Sequence, residues 1–397
     1  MEAISKCLAV PKESGSTALI ATTVVTTISL VSLARYTLWP KKHPIIPGPL
    51  TTTIPKLSEA EIAQITYRPD YFPGARDVVT PYGNIRVYEF GPEDGRKVLL
   101  IHGISTSCMT LKDIAEPLAK KGCRVMLFDL FGRGYSDAPG DVPYDTRLFV
   151  TQILLVLASS PLSWTGENGL SIIGYSLGGG IAANFAATFP HMVESLILLA
   201  PAGLIRPENF GRASRLVFTT GIIPERLLAW LTKLRLRQPI ASSVAKRVKK
   251  AGAAANGLRQ GEDGKENLLD VATQEAVDPV DEPPQTAFEL EVISFVHWVL
   301  DFHHGFVPAF MSTVRHAPLM DQQGYWRQLA KRKPGTTAVL LGTDDTLIQR
   351  DDYVEDALPL IGGEENVFWR VVPGSHNFPF THAADALERI YEFWAME

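Results

Sequence analysis

The stretch from Ser171 to Gly180, S-I-I-G-Y-S-L-G-G-G, limits what this chain can fold into more than any other. An apolar run through Ile173 turns within Gly174-Tyr175-Ser176-Leu177-Gly178 into a small-residue helix expected over Gly179–Phe189. A strand, a sharp bend and a helix in so few residues put Ser176 at the apex, clear of the sheet and on strained backbone. Side chains two before and two after the apex would collide across the bend, and Gly174 and Gly178 have none. Gly179 and Gly180 let the helix close up on the sheet. The helix start aims its free N–H groups and positive dipole end at Ser176.

Around this bend the pattern alternates. Asp77–Thr80 and Ile85–Phe90 flank Pro81-Tyr82-Gly83-Asn84 as a β-hairpin. Strands are then expected at Lys97–Ile101, Arg124–Asp129, Leu170–Ile173 and Glu194–Ala200, with helices at Thr110–Lys121 and Arg147–Ala158 between them. Fully apolar strands separated by helices predict an α/β architecture, a mostly parallel sheet covered on both faces. Functional groups of such a sheet gather at the carboxyl ends of its strands.

The alternation stops after Leu204 and resumes at the strand Ala338–Gly342, followed by the strand Val367–Val372 and the helix Ala383–Trp394. So long a gap is not credible as structureless loop and predicts an inserted helical cap. Within it, Pro224–Arg237 sets Leu227, Leu228, Leu231 and Leu234 on one side of a basic helix, and Lys246, Arg247, Lys249 and Lys250 extend the charge. An acidic stretch, Glu262–Glu282, reads as looping out. Thr286–Phe302 reads as a helix bearing Phe288, Phe295, Trp298 and Phe302, aromatics that serve first as cap core. The expected division is an anchor and linker at 1–60, a core first part at 61–205, the cap at 206–335 and a core second part at 336–397.

Residues Ser16–Ala34 carry no charge and have the length of a bilayer-crossing helix. Arg35, Tyr36, Trp39, Lys41 and Lys42 follow as an interface flank, with no small-residue cleavage site beside it. This predicts a single-pass membrane anchor at 16–34, with the folded domain on the cytosolic side and the endoplasmic reticulum or a lipid droplet as candidate surfaces. The net charge of −5 gives no reason to expect nucleic acid. Cys7, Cys108 and Cys123 form neither a disulfide framework nor a metal-ligand spacing. No metal or cofactor is expected: there is no nucleotide-binding glycine loop, and His303-His304 lacks supporting ligands.

Chain order adds the chemistry. After Ser176, the strand through Leu341 ends in Gly342-Thr343-Asp344-Asp345, and the next ends in Pro373-Gly374-Ser375-His376. His102-Gly103-Ile104 follows the Lys97–Ile101 strand. Together with D-L-F-G-R-G-Y-S-D at Asp129–Asp137, G-Y-S-L-G-G at Gly174, G-T-D-D at Gly342 and G-S-H at Gly374, the chain resembles the α/β-hydrolase fold superfamily, in its branch of capped lipases and esterases such as membrane-anchored monoacylglycerol lipases.

That resemblance implies Ser176 as nucleophile, His376 as base and Asp345 as acid, with the backbone N–H groups of Ile104 and Leu177 as the oxyanion hole. The family spacing G-x-x-D selects Asp345 over its neighbour Asp344, and His382 is the rival histidine. It also implies that His102 and Asp129–Asp137 are architecture. His316–Asp321 matches an acyltransferase H-x-x-x-x-D string only by chance. The function expected is a carboxylic ester hydrolase acting on an apolar, lipid-like ester, its partners being that substrate and the membrane, touched through 16–34 and the basic cap helix. Acyl transfer or carbon–carbon bond hydrolysis on the same triad, or a ligand-binding member without activity, are the alternatives.

Overall fold

Residues 14–38, 44–166, 169–206, 225–236 and 286–396 are described in the structure, a computed structural model. The strands are β1 (Ile45–Ile46), β2 (Ala75–Thr80), β3 (Gly83–Phe90), β4 (Lys97–Ile101), β5 (Arg124–Phe128), β6 (Ala138–Pro139), β7 (Leu170–Tyr175), β8 (Val193–Leu199), β9 (Thr337–Gly342) and β10 (Phe368–Val372). The main helices are α1 (Ser14–Leu38), α2 (Lys112–Lys120), α3 (Thr146–Ala158), α4 (Leu177–Thr188), α5 (Glu225–Leu236), α6 (Ala287–Phe302), α7 (Phe306–His316), α8 (Gln323–Leu329), α9 (Phe378–Thr381) and α10 (Ala383–Trp394).

Eight strands form one sheet in the order β10-β9-β8-β7-β4-β5-β3-β2. The run from β10 to β5 is parallel, and the predicted hairpin β2–β3 closes the edge in antiparallel register. Every residue of β7 and of β9 is buried. Strands covered on both faces need apolar side chains in both directions, hence their largely apolar sequences. Local caps fix the helix starts: the Asp145 carboxylate accepts from the N–H groups of Arg147 and Leu148 ahead of α3, and Thr286 with Glu289 forms a capping box on α6.

The chain runs from β4 to β5 in one direction along the sheet and from β7 through β8 to β10 in the other. The order therefore reverses between β4 and β7, and a crevice opens at their carboxyl ends. Ser176 directly follows β7 and His102 directly follows β4. The helices α5 to α8 all fall between β8 and β9. On α6, Phe295 is buried against the rings of Tyr67 and Tyr135, and Trp298 stacks on Phe295, so these aromatics seat the helix on the core.

The predicted anchor is helical across Ser14–Leu38, and Thr23 Oγ1 donates back to the Leu19 carbonyl. Among the described residues, no helix is long and apolar enough to cross a membrane. Trp39, Lys41, Lys42, Cys7, Lys246–Lys250 and Glu262–Glu282 lie outside the described residues. Cys108 and Cys123 are free and buried.

Candidate active site

The bend after β7 forces its apex residue into an unusual backbone state. Ser176 has φ 54° and ψ −119°, in the left-handed half of φ space that a side chain ordinarily avoids. Surrounding bonds hold it there. Its N–H donates to the Leu199 carbonyl, and its carbonyl accepts from the N–H groups of Gly179, Gly180 and Ala202. A Cβ on Gly174 would strike the Gly178 carbonyl, and one on Gly178 would strike the Ile101 carbonyl on β4. Gly179 and Gly180 give close approach to Pro201 and Pro318 rather than to the sheet itself.

The strained bend aims the Ser176 hydroxyl at His376. Nε2 of His376 lies 2.9 Å from Ser176 Oγ, and Nδ1 lies 2.9 Å from Asp345 Oδ2. All three residues are buried. The second carboxylate oxygen, Oδ1, accepts from the backbone N–H groups of Leu347 and Ile348 at 2.9 and 2.8 Å. Asp345 is thus clamped from behind while its other oxygen faces the imidazole. A carboxylate so held keeps the proton on Nδ1 and leaves Nε2 free to accept from the serine. The rivals lie elsewhere. Asp344 is exposed and accepts from Thr343 Oγ1, and His382 pairs with Thr381 at the start of α10.

Leu177 is the first residue of α4, so its N–H has no intrahelical acceptor. Ile104 is buried in the loop after β4, and its carbonyl accepts from Arg133 Nε at 3.0 Å. The neighbouring His102 is architectural. Its Nε2 accepts from the Leu130 N–H at 2.9 Å, so Nδ1 carries the proton and donates to the Gly103 carbonyl. Burial, then the nearby Arg133 charge, pull its pKa down to about 3. His303 ties α6 to the core: its Nδ1 accepts from the Gly305 N–H, and Nε2 donates to the Ser136 carbonyl. Burial lowers its pKa to about 4. Among the described residues no cluster of side chains could hold a metal ion.

The Asp129–Asp137 segment is a bracing turn. The Asp129 carboxylate accepts from the N–H groups of Cys108 and Tyr135 and from the Tyr67 hydroxyl, while Asp137 accepts from the N–H groups of Gly48 and Asn84. Burial pushes the Asp129 carboxyl up to about 6.

These groups give stability a pH dependence of known sign. Depressed histidines are satisfied above about 6.5, and their contribution is lost as pH falls towards 4 and 3, because only the unfolded chain takes up the protons. The raised Asp129 carboxyl works the other way, being relieved on acidification, and offsets part of that loss. Denaturant unfolding free energy is therefore expected to fall between pH 6.5 and 4, and His102→Gln to flatten that fall. Equal slopes for the two chains would contradict the neutral, buried state of His102.

Sequence reasoning did not single out Arg133 or the contact between Glu289 on α6 and Asn377, the residue after His376 (Nδ2 to Oε1, 3.3 Å). The only signal for either was a charged residue in a stretch that folds inward.

The fold is that of the α/β-hydrolases, and over part of its length the chain is similar to serine hydrolase-like proteins. Residues 92–257 match the family model for serine aminopeptidase, S33. A serine hydrolase-like protein of Danio rerio is 34% identical over 129 residues, which are 32% of this chain and 38% of that relative. The match thus spans well under two thirds of that relative's length. Naproxen esterase (carboxylesterase NP) from Bacillus subtilis aligns over 86% of this chain and all of its own, with a TM-score of 0.55 and 16% identity. A membrane phospholipase A described as a bacterial virulence factor covers 96% of both chains, with a TM-score of 0.53 and 17% identity. At such identities these likenesses speak to the fold alone.

Proposed function

We propose that the chain hydrolyses the carboxylic ester of an apolar, lipid-like substrate through an acyl-enzyme on Ser176. The observation that carries the chemistry is the continuous chain from Ser176 Oγ through His376 to Asp345, with both links at 2.9 Å. His376 Nε2 takes the serine proton as Oγ attacks the ester carbonyl. The N–H groups of Ile104 and Leu177 receive the developing oxyanion. The carbon–oxygen bond to the alcohol breaks, and His376 returns its proton to that leaving oxygen. Water then enters, gives a proton to His376 and releases the acid, restoring Ser176.

The apolar surface supports the substrate class. On α1, Leu19, Ile20, Val24, Val25, Ile28 and Val31 are each at least half exposed. A helix apolar all round and open to water belongs against protein or lipid. On α5, Trp230, Leu231 and Leu234 are exposed as well. We read these as attachment to a membrane surface, with α5 to α8 as a cap over the crevice and the catalytic core on the cytosolic side. Monoacylglycerols and lysophospholipids are the foremost substrates. Across a series of esters of rising acyl length, kcat/KM is expected to climb by about fourfold per added methylene over the first few carbons. Activity confined to short, water-soluble esters would refute the lipid reading and leave the serine chemistry standing.

A further inference from the structure

Arg133 sits on the turn after β5, fully buried, between Gly132 and Gly134, which hold φ of 73° and 51°. Those left-handed glycines fold the turn back on itself, so the side chain points inward rather than to water. Its donors reach three separate pieces of the molecule. Nη1 donates to the Phe131 carbonyl of its own turn at 3.1 Å, and Nε donates to the carbonyl of Ile104 at 3.0 Å. Nη2 donates to Thr313 Oγ1 on α7 at 2.7 Å, and that hydroxyl in turn donates to the Ala309 carbonyl. The guanidinium also lies 5.7 Å from the centre of the Tyr144 ring.

Burying a guanidinium is costly, and a turn of this kind can be closed without one. What this cation adds is a fixed link between the helices inserted after β8 and the loop after β4. The carbonyl it pins belongs to the residue whose N–H the proposed reaction uses for the oxyanion. Holding that carbonyl restricts rotation of Ile104 and so the direction of its N–H. The charge is near enough to His102 to help keep that imidazole neutral, and it adds a positive potential under the same loop.

We propose that Arg133 is a positioning residue: it sets the Ile104 N–H for the transition state and ties that setting to the seating of α7 through Thr313. The inference rests on the serine-hydrolase reading of Ser176. An oxyanion donor matters in the transition state far more than in the bound substrate, so its misplacement lowers kcat and spares KM.

The test compares the full chain with Arg133→Met, Arg133→Lys and Thr313→Val on one chromogenic ester, with melting curves and fluorophosphonate labelling in parallel. Arg133→Met is expected to lose about a hundredfold in kcat with KM nearly unchanged. Arg133→Lys, which restores the charge and one donor, should recover part of that loss. Thr313→Val, which keeps the side-chain volume and removes the hydroxyl that joins Arg133 to α7, should lose severalfold in kcat with a melting temperature only modestly lowered. Native kcat in a folded Arg133→Met chain would overturn the proposal. Should Arg133→Met fail to fold, native kcat in Thr313→Val overturns it instead. A native chain that forms no adduct on Ser176 would overturn the hydrolase reading, and the positioning role with it; a normal adduct with native kcat in every variant removes only the positioning role.

Discussion

Ser176→Ala is expected to lower kcat about a millionfold on any ester the chain cleaves, with the fold and melting temperature kept. The size follows from what the hydroxyl does. It supplies the atom that forms the covalent bond, and His376 Nε2 lies 2.9 Å from it. Alanine also relieves nothing at the bend. It keeps the Cβ that makes φ of 54° unfavourable, so the strain stays and only the oxygen goes. The residual rate then comes from the oxyanion donors and substrate binding, as in serine hydrolases stripped of their nucleophile. Steady-state kinetics on purified protein check this. A loss under tenfold would mean that the observed activity comes from elsewhere.

Asp345→Asn is expected to lower kcat about ten-thousandfold, whereas Asp344→Asn leaves it within about twofold. In the native chain Oδ1 of Asp345 accepts from the Leu347 and Ile348 N–H groups and Oδ2 accepts from His376 Nδ1. An asparagine has one oxygen, and the two fixed N–H groups claim it. Its NH2 then faces Nδ1, which must give up its proton to accept. The proton moves to Nε2, and the imidazole can no longer take one from Ser176. Little changes in shape, so the melting temperature should move far less than the rate. Asp344, exposed and turned towards Thr343, touches none of this. Kinetics of the two variants side by side decide it; equal losses would mean the carboxylates are interchangeable and the clamp is irrelevant.

Much of the molecule was legible in the sequence because its signals are local. The apolar runs fixed β4 at Lys97–Ile101 and the last helix at Ala383–Trp394 to the residue. The bend at Ser176 was legible because glycines must stand where a Cβ would strike backbone. The choice between Asp344 and Asp345 was not local: adjacent residues leave a strand end in different directions, and only the family spacing favoured one.

What depends on long-range contact was invisible. The β1–β6 ribbon pairs Ile45 with Pro139 across distant sequence and shows no periodicity in two residues. The helices α7 and α8 lie beyond the aromatic helix in a stretch read only as cap. Arg133 did not stand out within the Asp129–Asp137 turn because its partners, Ile104 and Thr313, come from two other parts of the chain. At 16–34 the reading saw an uncharged stretch of helix length, and a helix does span Ser14–Leu38.

The most direct measurement is intact-mass and peptide mapping of the full chain after reaction with a fluorophosphonate. A serine activated by the His376–Asp345 pair predicts a single phosphonyl adduct on Ser176, absent from Ser176→Ala and formed far more slowly in His376→Ala. A folded native chain that stays unmodified at Ser176, or reacts there at the same rate without His376, would contradict it.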